Sequence, residues 1–504
     1  MKRFTALLLI PLAFVACKKD CLKKDKCELS SYVSTKMIEY PAPTSNGQIY
    51  YVDADNGKKS NDGKSESSAF KEIDQINDLN LEPGDHVLFK RGQVHYGVLK
   101  VESSGSLSEN IYFSDFGDGH LPVIKSTDGK PNSKESTVYL TLANYITFQN
   151  LNIQGGLFAM SISNSDYVTI QGCRVGERSH AGILATGKYS EGDGSDYGVL
   201  QHSLIYSGLN GNLGDGQSTD GINLNDGASN WTIINNEFKA WAHSAVSIKQ
   251  IANLQENNNN VIENNLFNCG DIDYMRALDI SGGDGLCANN VFRYNVVRNQ
   301  SVTSHVHGNS NLVAYNMMLG LTVSDATEQP WAFDFYCIIN KSGNPERDQL
   351  VCYDNTIANN LIYNYRSGQG VRVLKSKSDA AYEVHDNRVV NNIFYDVHTA
   401  YQTDIEPQSN AFENNMFFNS TSAANFIYDY ADFSLADFEA LNGSQGNVIQ
   451  NNIETNPQFT NASSEDFSLM LGSLAIDAGL DIGELVDYYG MNLNGTPDIG
   501  PVEY

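Results

Sequence analysis

The sequence predicts an all-β solenoid, a parallel β-helix built from stacked coils. The first observation is a short unit, apolar–x–apolar–x–Asn–x–apolar, that recurs at intervals of roughly 21 to 44 residues. The second is the alternation of apolar and polar residues inside each unit, which is the pattern of a strand with one face in a core. The third is the length of 504 residues, which a solenoid accommodates by growing along one axis.

Each copy of the unit is predicted to form two short strands joined at a bend. Asparagine tolerates the left-handed backbone that a tight bend requires. Stacked coils would place these asparagines about 4.8 Å apart, where their amides can bond in a ladder. The same stacking predicts that Phe238, Phe267, Phe292 and Phe417 occupy equivalent positions inside the solenoid. The copies begin at Ile146, Val168, Thr232, Val261, Asn290, Leu312, Thr356, Arg388, Ala411 and Val448.

The N-terminus has the features of an export signal. Lys2 and Arg3 precede an apolar run over residues 4–15, which is shorter than the roughly 20 residues that span a bilayer. The run ends in Phe-Val-Ala-Cys, which resembles a bacterial lipobox and implies lipidation of Cys17. An ordinary signal peptide cut nearby is the alternative.

These features divide the chain into three predicted parts. Residues 1–17 form a lipoprotein signal peptide, residues 18–46 form a flexible tether, and residues 47–504 form the solenoid. The protein is expected to be a monomeric outer-membrane lipoprotein, on the cell surface or the periplasmic face, that contacts the membrane through its lipid only.

The formal net charge of −27 restricts the partners of the protein. It argues against general nucleic-acid binding, which requires a basic face. A polyanionic substrate would also be repelled unless its groove is locally basic or lined by a metal ion.

Both ends of the predicted solenoid carry sequence motifs typical of one family. The strand predicted at residues 48–53, the helix predicted at residues 70–77 and the strand His86–Lys90 closely resemble the N-terminal cap of bacterial right-handed β-helix proteins. Residues 473–479 and 498–504 resemble the closing segment of bacterial β-helix polysaccharide enzymes. The resemblance implies a pectate-lyase-like right-handed β-helix with an N-terminal cap, and a polysaccharide as substrate.

Polar residues whose side chains could take part in catalysis are concentrated just before successive units. Stacking would bring these segments to neighbouring rungs of one face. Alternation keeps Val246 and Ile248 inward and leaves Ser247 and Lys249 outward. Arg276 is likewise expected to point outward if Leu278 and Ile280 point inward. The predicted catalytic residues are Lys249, Arg276, His307, Asp220, His243 and Asp279.

This set suits β-elimination on a uronate, in which a base removes the proton next to a carboxylate that a cation neutralises. The text SIKQ, an arginine about one coil later, and then VHGNSNLV are similar to the β-helix alginate-lyase family. That resemblance implies Lys249 as the base and Arg276 as the acid. His307 stands where such lyases carry an arginine.

Two other classes of function fit the same sequence. Hydrolysis needs two carboxylates, for which Asp215, Asp220, Asp279 and Asp284 are candidates. A non-catalytic carbohydrate-binding or adhesion protein would instead carry stacked aromatics along a flat face and no single polar cluster.

Two apparent insertions, residues 176–230 and 319–354, interrupt the repeats. The second is aromatic, and its side chains could stack on sugars or form a buried lid. His305, Trp331 and His180 are the predicted substrate-binding residues.

A calcium site is the one cofactor that the sequence suggests. Asp215, Asp220 and Asp226 offer hard oxygen ligands on a glycine-rich turn, as calcium prefers. Ordinary Asp–Gly turns are the alternative.

Overall fold

The computed structural model describes residues 38–44, 46–126, 135–177, 180–187, 194–206, 220–239, 243–250, 255–268, 275–282, 285–320, 331–336, 351–365, 368–374, 384–403, 408–419, 425–493 and 495–504. Cys17, Asp215 and Asp284 lie outside this part of the chain. Within it, none of the helices combines the length and the apolar character that crossing a membrane requires.

Three long sheets form the walls of the solenoid, and each coil passes through them in the order sheet 1, sheet 2, sheet 3. Sheet 1 has, in the described residues, the strands Ile49–Val52, His86–Lys90, Ile111–Phe116, Ile146–Gln149, Thr169–Gln171, Val199–Gln201, Thr232–Ile234, Val261–Glu263, Val291–Arg293, Leu312–Ala314, Thr356–Ala358, Arg388–Val390, Ala411–Glu413 and Val448–Gln450. Sheet 2 has the strands Val94–Tyr96, Val123–Lys125, Asn152–Gln154, Arg174–Gly176, Leu204–Tyr206, Glu237–Lys239, Leu266–Asn268, Val296–Arg298, Met317–Leu319, Leu361–Tyr363, Ile393–Tyr395, Met416–Phe418 and Ile453–Glu454.

Sheet 3 contains most of the six-residue strands in the described residues. Its strands are Leu99–Val101, Val138–Thr141, Phe158–Ser163, Ala181–Thr186, Asp220–Asn225, Ser244–Lys249, Arg276–Ser281, Ser304–Val306, Trp331–Tyr336, Gln369–Leu374, Thr399–Thr403, Phe426–Tyr428 and Ala431–Phe433. All neighbouring strands in the three sheets are parallel except the last pair of sheet 3, which is antiparallel. The predicted all-β parallel β-helix is therefore confirmed.

The smaller elements lie beside these walls. A three-stranded sheet contains Gly308–Asn309, Cys352–Tyr353 and Val384–His385, and an antiparallel pair contains Phe459–Asn461 and Asp466–Leu469. Within the described ranges, the α-helices are Asp74–Asn77 and Leu435–Glu439, and the 3₁₀-helices are Glu66–Ser68, Ser444–Gly446 and Ala462–Ser464.

The two apparent insertions contain ordinary strands of the solenoid. Residues 176–230 include strands of all three sheets, and residues 319–354 include the sheet 3 strand Trp331–Tyr336. The repeat was not recognised in the first segment because its bend, Gln201-His202-Ser203, has no asparagine. It was not recognised in the second because the text of the strand Trp331–Tyr336, WAFDFY, contains no asparagine.

The asparagines at the bend between sheets 1 and 2 form the predicted ladder. The side-chain amide of Asn265 donates to Asn295 Oδ1 at 3.1 Å, and Asn236 donates to Asn265 in turn at 3.0 Å. The residue before each ladder position, such as Asn264 at φ 56°, takes the left-handed backbone. A second ladder, which the sequence analysis missed, precedes sheet 1 and runs through Asn260, Asn290, Asn311, Asn355 and Asn387.

The predicted phenylalanine stack is only partly regular. The rings of Phe238 and Phe267, both on sheet 2, lie 5.0 Å apart. Phe292 stacks on Phe267 at 5.5 Å but belongs to sheet 1, so its position is not equivalent. Phe417 stacks on its sheet 2 neighbour Phe394 at 5.2 Å.

The N-terminal segment packs more closely than a free tether would. Residues 38–44 contact sheet 1, where the backbone of Tyr40 pairs with the side chain of Asn150 and its hydroxyl lies 2.6 Å from His202 Nδ1. The helix predicted at residues 70–77 is shorter, Asp74–Asn77, and its Ile76 is buried in the main core. The capping role of this segment stays a prediction.

Candidate active site on sheet 3

The site lies on the outer face of sheet 3, where successive strands place one polar residue on each rung. Strand pairing makes vertical neighbours of residues that are far apart in sequence. We call this row the sheet 3 column; it consists of Asn223, Ser247, Asp279, His305, Asp334 and Arg372.

Asp279 is the first of two carboxylates in the column. Its Oδ2 lies 2.6 Å from Lys249 Nζ and 3.4 Å from Arg276 Nη1, and its Oδ1 accepts a hydrogen bond from Ser281 Oγ at 3.0 Å. Asp279 is 2% exposed. Burial alone would raise the pKa of Asp279, but the charges of Lys249 and Arg276 hold that pKa well below its usual range.

The outward position of Arg276 needs a change of phase in its strand. Arg276, Leu278 and Ile280 are two residues apart, so strict alternation would turn all three inward. The structure packs both Ala277 and Leu278 into the core, which leaves Arg276 beside Asp279 on the outer face. The predicted side was correct, although simple alternation does not explain it.

Asp220 and His243 form a second acid–base pair next to Asp279. Asp220 Oδ1 lies 2.7 Å from His243 Nδ1 and accepts the backbone N–H of Ser244 at 2.9 Å. Burial opposes ionisation of Asp220, but the bond to His243 lowers its pKa. The Ser244 hydroxyl lies 3.1 Å from His243 Nδ1 and 3.4 Å from Asp279 Oδ2, so it connects the two pairs.

Asp334 is the second carboxylate of the column and has three basic neighbours. Its Oδ1 lies 2.6 Å from His305 Nδ1 and 3.4 Å from His307 Nε2, and its Oδ2 lies 2.6 Å from Arg372 Nη2. Burial alone would raise the pKa of Asp334, yet the charge of His305 and its bond hold that pKa well below its usual range. Burial also lowers the pKa of His307.

The buried layer of this face is acidic and the outer layer is basic. The side chains of Asp279 and Asp334 are 3% and 0% exposed, whereas those of Lys249 and Arg372 are 23% and 24% exposed. A ligand that approaches sheet 3 therefore meets ammonium and guanidinium groups first. This local surface can bind an anion even though the whole chain is strongly acidic.

Most of the predicted catalytic residues come together here. The strands that carry Asp220, Lys249, Arg276 and His305 are consecutive in sheet 3; Asp279 lies on the Arg276 strand, and His243 and His307 flank the strands beside it. The roles assigned to these residues stay predictions.

The predicted substrate-binding residues divide differently. His305 borders the site, and His180 immediately precedes the neighbouring strand Ala181–Thr186, where its ring contacts Phe158. Trp331 is 4% exposed, and the Arg372 guanidinium lies over its ring at 5.6 Å. Phe333 and Phe335 are buried in the core on the same strand. Trp331, Phe333 and Phe335 therefore belong to a buried strand of sheet 3 and form neither an open stacking surface nor a lid over the solenoid.

The predicted calcium ligands do not form a visible set. Asp220 is already bonded to His243 and Ser244, and Asp226 is buried just beyond the end of its strand. Asp215 lies outside the described residues. The calcium site stays a prediction.

The sequence analysis missed Asp334 and Arg372. Each is the single charged residue in an apolar strand, in the texts WAFDFY and QGVRVL, where alternation would turn it outward. That pattern was a usable signal. The sequence analysis also missed Asn223, whose buried Oδ1 has no hydrogen-bond partner in the described part of the chain.

Comparison with known proteins supports the fold. No known family profile matches the chain. A lacto-N-biosidase of Bifidobacterium longum subsp. longum is 22% identical over 93% of this chain, which spans only 37% of that enzyme's length. The PL6-family alginate lyase AlyGC superposes with a TM-score of 0.53 and 13% identity, over 85% of this chain and 57% of that one. A mannuronic-acid-specific family 6 lyase from human gut microbiota superposes with a TM-score of 0.50 and 15% identity, over 77% of this chain and 84% of that one. The chain therefore has the right-handed parallel β-helix fold found in polysaccharide lyases.

Proposed function

We propose that this protein is a carbohydrate-active enzyme that cleaves a uronate-containing polysaccharide by β-elimination at sheet 3. The observation that carries the proposal is the basic layer over buried carboxylates. Lys249, Arg276 and Arg372 are paired with Asp279 and Asp334 and are more exposed to solvent than these two carboxylates. Such a surface attracts a carboxylate-bearing sugar and neutralises the charge that opposes removal of the neighbouring proton.

The state of the carboxylates favours elimination over hydrolysis. A hydrolase needs one carboxylic acid that stays protonated, which requires a raised pKa. The pKa values of Asp220, Asp279 and Asp334 are all lowered, against the effect of burial, by their basic neighbours. These three groups suit the positioning of bases better than the donation of protons.

Two side chains are candidates for the base. Lys249 is the group implied by the alginate-lyase resemblance, and its ammonium would have to leave Asp279 and lose a proton before acting. His243 is held through Nδ1 by Asp220, an arrangement that orients a ring so that its other nitrogen can accept a proton. Arg276, beside Asp279, would bind the sugar carboxylate or assist the leaving oxygen.

Hydrolysis is the second candidate function, because the sequence relative is a lacto-N-biosidase. In that case the acid would be sought first at Asp215 and Asp284, the two predicted hydrolase candidates that lie outside the described residues. Elimination and hydrolysis leave different products, so one assay separates them.

The test incubates the full-length protein with polygalacturonate, alginate and glycosaminoglycans. Elimination leaves an unsaturated uronate, which is followed by its ultraviolet absorbance, while new reducing ends are counted in parallel. We expect both signals on at least one acidic glycan, and a loss of at least about 100-fold in rate for Lys249→Met. The matched control is Lys239→Met, because Lys239 is an exposed lysine on sheet 2.

Reducing ends without the ultraviolet signal would overturn elimination in favour of hydrolysis. Binding without cleavage would favour the adhesion class. The pH dependence of His243→Gln and Lys249→Met assigns the base, since removal of the base abolishes the rising acidic limb of the profile.

A further inference from the structure

Two histidines and one aspartate converge beside the site in a way that the proposed elimination does not require. His305, His307 and Asp334 each offer one ligand atom, and these three atoms all lie within 4.8 Å of one another. The rings of His305 and His307 lie 4.9 Å apart and are tilted by 31°. Two imidazoles and one carboxylate are a common ligand set for first-row divalent metals.

His307 supplies the second, independent observation. It is 1% exposed, and neither of its ring nitrogens has a hydrogen-bond partner in the described part of the chain. A buried imidazole without partners is costly, because its polar atoms lose their bonds to water. Its Nε2 comes no closer than 3.4 Å to Asp334 Oδ1, which is a long contact for a fully buried ring. The ring is therefore aimed at the cluster and unsatisfied within it.

The spacing also fits a shared ion. Metal–ligand bonds of about 2.0–2.1 Å in a tetrahedron place neighbouring ligand atoms about 3.3 Å apart. The 3.4 Å between His307 Nε2 and Asp334 Oδ1 matches that separation. His305 Nδ1, now 2.6 Å from the same oxygen, would exchange its hydrogen bond for the metal and move outward by less than about 1 Å.

The surroundings supply an outer shell for such an ion. Asp334 uses Oδ1 toward the histidines and Oδ2 toward Arg372, so each oxygen has a separate partner. A carboxylate that binds a metal is commonly held by a second bond of this kind. His305 borders solvent, with 13% of its side chain exposed, so a fourth position would open to water or to a sugar oxygen.

We propose that His305, His307 and Asp334 form a binding site for a first-row divalent metal ion of the zinc type. The site has one position open toward the outer face of sheet 3. It differs from the predicted calcium site in residues and in ligand chemistry. The inference does not depend on the proposed elimination, because binding is measured without a glycan.

The test titrates Zn²⁺ and Co²⁺ into full-length protein stripped with a chelator and free of any histidine tag. Cys17, Cys21 and Cys27 are replaced by serine, because thiolates near the N-terminus could bind zinc themselves. We expect one saturable site by calorimetry, and a visible Co²⁺ spectrum of a low-coordinate site with nitrogen ligands. His305→Gln and His307→Gln should each weaken binding by at least about 100-fold.

His243→Gln is the matched control, since His243 bonds to Asp220 on the same face but belongs to no such triad. Circular dichroism of every variant checks that the solenoid is intact, and His305→Gln at the solvent edge covers the case in which His307→Gln fails to fold. Absence of a saturable site in the unsubstituted triad would overturn the inference. Equal affinity in His305→Gln, or equal loss in His243→Gln, would overturn it as well.

Discussion

The bend between sheets 1 and 2 and the outer face of sheet 3 stack residues by the same rule, yet they differ in what they stack. At the bend the same side chain repeats, with Asn265, Asn295 and Asn316 each bonded to the next at 3.1 Å. In the sheet 3 column no neighbouring rungs carry the same residue. An amide is both donor and acceptor, so it can pair with a copy of itself at every rung.

A charged side chain cannot repeat in this way, because like charges on neighbouring strands repel. The column accordingly alternates, with Asp279, His305, Asp334 and Arg372 on successive strands. In a β-helix a row of identical residues therefore indicates structure, and a row of unlike polar residues indicates a site. The following predictions break each row in turn.

The largest effect is expected from Asp279→Asn. The substitution keeps the shape but leaves Lys249 and Arg276 without their shared counter-charge. Removing one partner of a buried ion pair should lower the free energy of unfolding by about 3 kcal/mol. Displacement of Lys249 and Arg276 should lower the cleavage rate by at least about 100-fold. Chemical denaturation and the glycan assay measure the two effects. Near-normal activity in a folded Asp279→Asn protein would contradict the role of Asp279 in fixing the basic layer.

The pH dependence of stability should have opposite signs in two regions. Asp279 has a folded pKa below its unfolded value, so its contribution is present above about pH 4 and is lost as the pH falls. Asp487, near the C-terminus, is bonded by backbone N–H groups of Met491 and Glu503, and burial raises its pKa to about 6. Its folded form holds a proton that the unfolded chain releases near pH 4, so stability is lost as the pH rises from about 4 to about 6.

Hydrogen exchange at several pH values can locate these two responses along the chain. Peptides of sheet 3 should lose protection in acid, whereas peptides around Asp487 should lose protection toward neutral pH, by up to about 3 kcal/mol. Asp487→Asn should reduce the second response and leave the first, and the part that remains belongs to Glu503, whose pKa burial raises to about 7. The same sign in both regions would show that the cations of sheet 3 do not control its carboxylates.

A smaller effect, on stability alone, is expected from Asn265→Ala. Asn265 donates to Ile233 O and Asn295, and its oxygen accepts from the backbone and side chain of Asn236. Removing it leaves buried groups unpaired, at a cost of about 2 kcal/mol. Denaturation should detect the loss, while activity at low temperature should be unchanged. Asn268→Ala, at the end of the adjoining sheet 2 strand, is the control.

The sequence predicted the repeating structure better than the site. The spacing of units such as Val261–Glu263 with Leu266–Asn268 contained the register, because every coil must bury the same apolar positions. The site depends on how coils of unequal length align, and the strand of Asp334 lacks the asparagine that marks the other units. Arg276 shows a further limit, because its side was set by a local change of phase that alternation cannot reveal.

The smallest effect separates two adjacent asparagines. Asn264 is half-buried and has φ 56°, whereas Asn265 is fully buried in the ladder. Asn264→Gly should therefore change the free energy of unfolding by only a few tenths of a kcal/mol, and Asn264→Ala should cost about 1 kcal/mol, because alanine resists the left-handed backbone. At position 265 the order should reverse, so that Asn265→Gly is more destabilising than Asn265→Ala. Both substitutions remove the amide, and glycine also gives the unfolded chain more conformational freedom. Denaturation midpoints of the four variants measure both orders. The same ranking at both positions would contradict the proposal that Asn264 is needed for its left-handed backbone and Asn265 for its hydrogen bonds.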